Sequence, residues 1–221
     1  MDLGCEPYYR DGAISIYNAD CRELLPRIDS ADLVLTDPPY GLGAAKTEKN
    51  HYRTYDDSRE NLIGLVDAVM PEILRIGDVV GVTPGVSNMG VYPKPDWVMA
   101  IVCTSGTGRS PWGFSCWQPL LVWGKDPYLA TGKGSRPDIF MHNKAAVKYG
   151  HPCSKPVAMW RSVLRRLMIG GGVVVDPFLG SGTTTRICKD LGISAVGIEM
   201  DEAYCEIAAK RLSQGVLDLG M

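Results

Sequence analysis

Residues 33–41 read LVLTDPPYG, an aliphatic run that ends in an acid, two prolines and an aromatic. Leu33, Val34 and Leu35 suit a strand buried on both faces. Each proline fixes its own φ and lacks an N–H, so Asp37, Pro38, Pro39 and Tyr40 form a stiff, extended tip where that strand stops. Ligands of open α/β sheets bind at this carboxyl end. A second stretch, DPFLGSGTT at 176–184, leaves a strand and enters a helix. Gly180 and Gly182 let the turn fold tightly and approach a ligand without a Cβ in the way. The G-x-G-T-T spacing is neither the G-x-G-x-x-G of a dinucleotide site nor a Walker G-K-[ST], so phosphate is not its natural ligand. Glu199 closes the next strand, 17 residues past Gly182. A carboxylate there can accept hydrogen bonds from both hydroxyls of a ribose, and glycine turn plus acid suggests a nucleoside-bearing cofactor. The bland alternatives are a strand ending in a turn and plain turn chemistry.

The elements that must position these residues follow from periodicity. AISIYNAD (13–20) alternates like a strand, CRELLPRI is a helical turn broken by Pro26, and strand 32–36 delivers the Asp-Pro-Pro-Tyr tip. Residues 43–60 are polar and lack an apolar period, as a long loop does. Leu62, Leu65, Val66, Val69 and Ile73 recur at helical spacing over 61–75. Strands are expected at 78–84, 97–103 and 118–125, with loop at 104–115 and no clear period over 126–150. VAMWRSVLRRLMI (157–169) is amphipathic and is followed by three glycines as a stop. The stretch from 173 onward reads strand, glycine turn, helix, strand (194–200) and a helix capped by Asp201, with a parallel pair expected.

Composition narrows the class. The chain has 221 residues, 45% of them apolar, enough for one domain with a full core. No stretch approaches the roughly 18 apolar residues of a spanning helix. The start, MDLGCEPYYRDG, has neither part of a signal peptide, so no membrane and a cytoplasmic location are expected. Seven scattered cysteines without C-x-x-C spacing argue against a disulfide framework or a zinc ribbon. His51, His142 and His151 make no H-x-x-x-H pair, so no metal is expected. Net charge is −2, yet residues 125–166 hold nine bases against two acids, while residues 1–36 hold three against seven. That asymmetry fits a local phosphate-facing surface; a solvated basic helix face at Arg161, Arg165 and Arg166 is the alternative.

Asp-Pro-Pro-Tyr followed far downstream by D-P-F-x-G-x-G-T-T resembles the S-adenosylmethionine-dependent DNA amino-methyltransferases. With the catalytic motif first and the cofactor motif last, the order is similar to that of the β class. HPCSKP (151–156), N-A-D at 18–20 and WQPLLVWGK (117–125) match further segments of that class, although Ala19 replaces the usual glycine. The resemblance covers essentially the whole chain. It implies an α/β fold with a Rossmann-like methyltransferase sheet, mostly parallel, with helices on both faces and circularly permuted motif order. Residues 1–221 would form a single catalytic domain with a reduced DNA-recognition segment at about 126–150.

The resemblance also implies roles. Asp37, Pro38, Pro39 and Tyr40 would be catalytic. Asp20, Asp37, Lys155, Asp176, Phe178, Gly180, Gly182, Thr183, Thr184 and Glu199 would hold S-adenosylmethionine, with Glu199 on the ribose, Asp20 near the adenine and Lys155 on the methionine carboxylate. Lys46, Lys49, Arg53, Lys133, Arg136, Lys144 and Lys148 would grip double-stranded DNA. Asp-Pro-Pro-Tyr, rather than a serine variant, resembles adenine-N6 enzymes more than cytosine-N4 ones. The alternatives are a cytosine-N4 enzyme, an RNA methyltransferase and a catalytically silent DNA-binding module. A homodimer and an accompanying restriction enzyme stay open.

Overall fold

The computed structural model describes residues 3–41, 58–106, 108–110, 112–143 and 155–214. β1 (Tyr9–Asp11) pairs antiparallel with β2 (Ile14–Asn18). A short helix, α1 (Cys21–Leu24), precedes β3 (Ala31–Thr36). α2 (Arg59–Ile76) starts where Ser58 accepts from the Asn61 N–H, and its buried stripe contains the five positions expected from the sequence. β4 (Gly77–Val82), β5 (Trp97–Cys103), β6 (Gly108–Ser110), β7 (Gly113–Ser115) and β8 (Trp117–Gly124) follow. Next come α3 (Pro127–Ala130), β9 (Ile139–His142), α4 (Val157–Leu167) and β10 (Val173–Asp176). α5 (Thr183–Leu191), β11 (Ser194–Glu199) and α6 (Glu202–Ser213) complete the described chain.

Nine strands form one sheet in the order β1-β2-β11-β10-β3-β4-β8-β5-β9. The five pairs β2–β11, β11–β10, β10–β3, β3–β4 and β5–β9 are parallel. β1–β2, β4–β8 and β5–β8 are antiparallel. Alternation through the sheet divides the core. Leu33 and Leu35 face the layer that includes Trp160 of α4, Ile187 of α5 and Leu212 of α6, whereas Val34 and Val80 face α2 through Leu62, Val66 and Ile73. β3 is therefore buried on both faces, as its aliphatic run requires. The fold is a Rossmann-like sheet with helices on both faces, as expected.

Chain direction matters more for function. β3 continues through α2 to β4 on one side, while its neighbour β10 continues through α5 to β11 on the other. The strand order reverses between β10 and β3, and a crevice opens outside their carboxyl ends. The register pairs Val174 with Leu33 and Val175 with Val34. Asp37 and the turn at 177–182 thus emerge side by side, although they are far apart in sequence.

Two sequence expectations need correction. The stretch 104–115, expected as loop, contains the two-stranded ribbon β6–β7; its glycines and small polar residues mask a pairing too short to show alternation. Residues 126–150 contain α3 and β9, whose Ile139 and Met141 are exposed on an edge strand and so give no apolar period. The 43–60 loop lies almost wholly outside the described residues.

Leu33 is fully buried at the centre of the sheet. Leu33→Ala is expected to cost about 2–5 kcal/mol, read from urea unfolding, because neighbouring strands fix the cavity walls.

Candidate active site

Asp37 leaves β3 on the proline tip, and its donors come from that tip, from the end of β4 and from the entrance of α4. Tyr40 Oη donates to its Oδ1 at 2.7 Å, and Thr83 Oγ1, just past β4, donates to the same oxygen at 2.5 Å. Lys155, just before α4, places Nζ 2.7 Å from Oδ2 and donates to Tyr40 Oη at 3.1 Å. Burial and the Asp37 charge both push the Tyr40 hydroxyl far above its ordinary pKa. Burial alone would lower Lys155, but Asp37 and Tyr40 outweigh it, so Lys155 stays a firmly charged ammonium.

Residues 83–88, TPGVSN, hold this group from below. Gly85 has φ +75°, and a Cβ added there would lie 3.7 Å from the Tyr40 ring. Asn88 is buried and donates to the carbonyls of Tyr40 (2.8 Å) and Pro84 (3.1 Å). Sequence reasoning missed Thr83 and Asn88. The only available sign was a Thr-Pro-Gly turn ending a strand.

The glycine turn sits on the other side of the crevice. Gly180 (φ +53°) donates its N–H to Glu199 Oε2 at 2.8 Å, and Asp201 N–H donates to Oε1 at 2.9 Å. Each Glu199 oxygen keeps a second lone pair. Burial raises the Glu199 pKa, against the pull of those two N–H groups. Gly182 (φ +80°) is needed for packing: a Cβ there would meet Ala208 of α6 at 2.7 Å. Phe178 is partly buried against the α2 side of the core. Asp20 lies beyond β2, which pairs Asn18 with Glu199, and is held low by Arg22 while it caps α1. Asp20, Glu199, Gly180 and Asp37 therefore share one edge of the sheet.

Asp176, Thr183 and Thr184 have inward tasks, unlike the ligand-facing ones expected. Asp176 is 4% exposed. Its Oδ1 accepts from Thr36 Oγ1 (2.7 Å) and Phe178 N–H (3.2 Å), and its Oδ2 accepts from Thr184 Oγ1 (2.6 Å). Trp160 Nε1 in turn donates to Thr184 Oγ1 at 2.9 Å. Arg211, also buried, donates to Ser181 O and approaches Thr183 Oγ1 at 3.4 Å. A motif shows which residues recur near a ligand, but not which of them point into the protein. Thr36, Trp160 and Arg211 carried no sequence signal beyond core membership or charge.

The basic segment is placed differently from expectation. Gly124 pairs with Val79, near the start of β4, so the chain after β8 leaves from the edge opposite Asp37. Arg136 stacks 5.1 Å from the Tyr128 ring centroid, and Tyr128 Oη donates to the Arg165 carbonyl at the far end of α4. That is roughly 16 Å, one eleven-residue helix, from Lys155. Lys133 and Arg136 thus sit away from the crevice. Arg161 pairs with Asp190, and Arg166 with Asp126; like Lys155 on Asp37 and Arg136 on Tyr128, these cations serve internal contacts. Lys46, Lys49, Arg53, Lys144 and Lys148 lie outside the described residues. Among the described residues no group of three His, Cys, Asp or Glu side chains could hold a metal ion, and no helix is long and apolar enough to cross a membrane.

Burial raises the Asp176 carboxyl from 3.8 to about 6, against its three donors. A raised folded-state pKa contributes stability below the unfolded value and loses it as pH climbs through the folded one. The stability of the wild type relative to Asp176→Asn should therefore fall by roughly 3 kcal/mol at most between about pH 4 and pH 7. Urea titrations of both proteins across that range check this, and a pH-independent difference contradicts it.

Residues 112–210 match the family profile of the N6/N4 DNA methylases. Over 94% of its length the chain is 26% identical to the type II methyltransferase M.ScaI of Streptomyces caespitosus, covering 84% of that protein. It is 24% identical over 96% of its length to the DNA adenine methyltransferase YhdJ of Escherichia coli K12, covering 87% of it. Among solved structures, the PvuII DNA methyltransferase, cytosine-N4-specific, superposes with a TM-score of 0.71 at 18% identity, covering 98% of this chain and 92% of that one. The M1.HpyAVI–SAM complex superposes with a TM-score of 0.65 at 19% identity, covering 91% of this chain and all of the other. The fold is that of the Rossmann-like methyltransferases.

Proposed function

We propose that this chain is a DNA methyltransferase that moves a methyl group from S-adenosylmethionine to an exocyclic base amine, the N6 of adenine. The observation that carries the reading is the juxtaposition of Asp37 with the Gly180–Glu199 turn across the reversal in strand order. The residues fit the cofactor. Glu199 keeps a lone pair on each oxygen for a ribose diol, Gly180 and Gly182 keep side chains out of the turn, Phe178 offers an apolar wall, and Lys155 is a cation suited to the methionine carboxylate. Asp20 lies at the adenine end of this row. When bound, S-adenosylmethionine supplies an electrophilic methyl and a neutral thioether leaving group.

An exocyclic amine is a poor nucleophile because its lone pair is delocalised into the ring. The Asp37 carboxylate and the Pro38 carbonyl accept its two hydrogens, so the nitrogen pyramidalises and its lone pair turns toward the methyl. Pro38 and Pro39 hold those acceptors still, which is preorganisation toward the positive charge that develops on nitrogen. Asp37 is also the nearest acceptor for the proton the amine must shed. Tyr40, with its ring backed by Gly85, stacks on a base rotated out of the duplex. Positioning supplies much of the remaining acceleration. Lys46, Lys49 and Arg53, which lie between β3 and α2 in the chain, are proposed to contact phosphates, as are Lys144 and Lys148. Such contacts fix register and weaken steeply with salt. Lys133 and Arg136 would join them only if DNA wrapped to the opposite edge.

Support for adenine comes from the Asp-Pro-Pro-Tyr tetrapeptide and from the likeness to an adenine methyltransferase. The likeness to a cytosine-N4 enzyme keeps that base as the second reading, with the same mechanism. Asp37→Ala should retain binding of S-adenosylhomocysteine, measured by calorimetry, while transfer of labelled methyl to DNA falls by about 10²–10³-fold or more. Unchanged transfer contradicts the role of Asp37.

A further inference from the structure

The contacts of Asp37 engage both of its oxygens. Its Oδ1 is filled by two hydroxyl donors, Tyr40 and Thr83, and its Oδ2 is taken by Lys155. An ammonium donating to Oδ2 competes for the oxygen an incoming base amine needs, and it presents the same kind of N–H. The pair is well enclosed, with side-chain exposures of 12% for Lys155 and 20% for Asp37. Pulling Lys155 away without another anion would leave two enclosed charges unpaired, which is strongly unfavourable. Among the described residues, Glu199 and Asp176 are held by donors of their own: two backbone N–H groups on Glu199, and Thr36, Thr184 and Phe178 on Asp176.

We propose that Lys155 is a built-in occupant of the amine site, and that a ligand carboxylate must draw it off Asp37 before a base can enter. This rests on the reading given above, in which the carboxylate is that of the cofactor's methionine. Lys155 then couples the two halves of the crevice. Before the cofactor is in place, Asp37 is neutralised and closed. Once Lys155 has turned to the methionine carboxylate, Oδ2 is open and its charge is unopposed. Binding is cofactor first, and idle capture of bases is suppressed. Tyr40 stays with Asp37 through its own bond, so the tip keeps its shape during the exchange.

The test compares S-adenosylhomocysteine, which bears the carboxylate, with 5′-methylthioadenosine, which lacks it, by titration calorimetry on the wild type, Asp37→Asn and Lys155→Met. If Asp37 competes with the ligand for Lys155, Asp37→Asn binds S-adenosylhomocysteine about tenfold more tightly than the wild type, within the usual range of site-to-site coupling. Its affinity for 5′-methylthioadenosine is unchanged. Lys155→Met loses most of the preference for S-adenosylhomocysteine. Asp37→Ser gives the same readout should the amide disturb folding. Unchanged or weaker binding of S-adenosylhomocysteine to the Asp37 variants overturns the proposal while leaving the methyltransferase reading intact. Failure of the wild type to bind either ligand overturns both.

Discussion

The Asp176 carboxylate joins the two halves of the crevice. It is buried between β10 and β3 and accepts from Thr36 on one strand, from the Phe178 N–H in the turn and from Thr184 on the helix that follows. Trp160 extends the chain of bonds to α4, the helix that carries Lys155 at its entrance. A buried carboxylate is costly unless its donors are all in place, so the strand reversal, the glycine turn and the α4 helix must form together. Both the Asp-Pro-Pro-Tyr tip and the turn beside it inherit their positions from this one group.

Charge then separates the roles of four nearby acids. Asp176 is enclosed and spent on structure. Glu199 is held by backbone N–H groups yet keeps lone pairs facing outward. Asp20 is exposed enough for Arg22 to hold it ionised. Asp37 is ion-paired with Lys155, which comes from the entrance of α4. Residue type is the same or nearly so at all four positions. Depth, donors and the nearest cation assign the chemistry.

The sheet was legible in the sequence because its strands are aliphatic and its turns are punctuated by Gly and Pro. LVLT, DVVGV, VVVD and SAVGIE all appear where their periods place them. The site was legible in outline: Tyr40 bonds Asp37, Gly180 bonds Glu199, and the sheet places both pairs at one edge. The short ribbon β6–β7 and the edge strand β9 escaped, since neither buries enough to leave a period. Asn88, Arg211 and Thr36 escaped because a single polar side chain with a structural task looks like any other. The basic run misled for a related reason: net charge along a segment does not tell which cations face solvent and which are already paired, as Arg161 and Arg166 are.

The proposed activity is transfer of a methyl group to an exocyclic amine in DNA. The most direct measurement is to incubate the purified protein with unmethylated genomic DNA and S-adenosylmethionine, digest to nucleosides and quantify the methylated bases by mass spectrometry. New N6-methyladenine is the expected product; N4-methylcytosine would keep the Asp37 mechanism and change the base. Methylation confined to a ring carbon, or no methylated base from a protein that binds the cofactor, would contradict it.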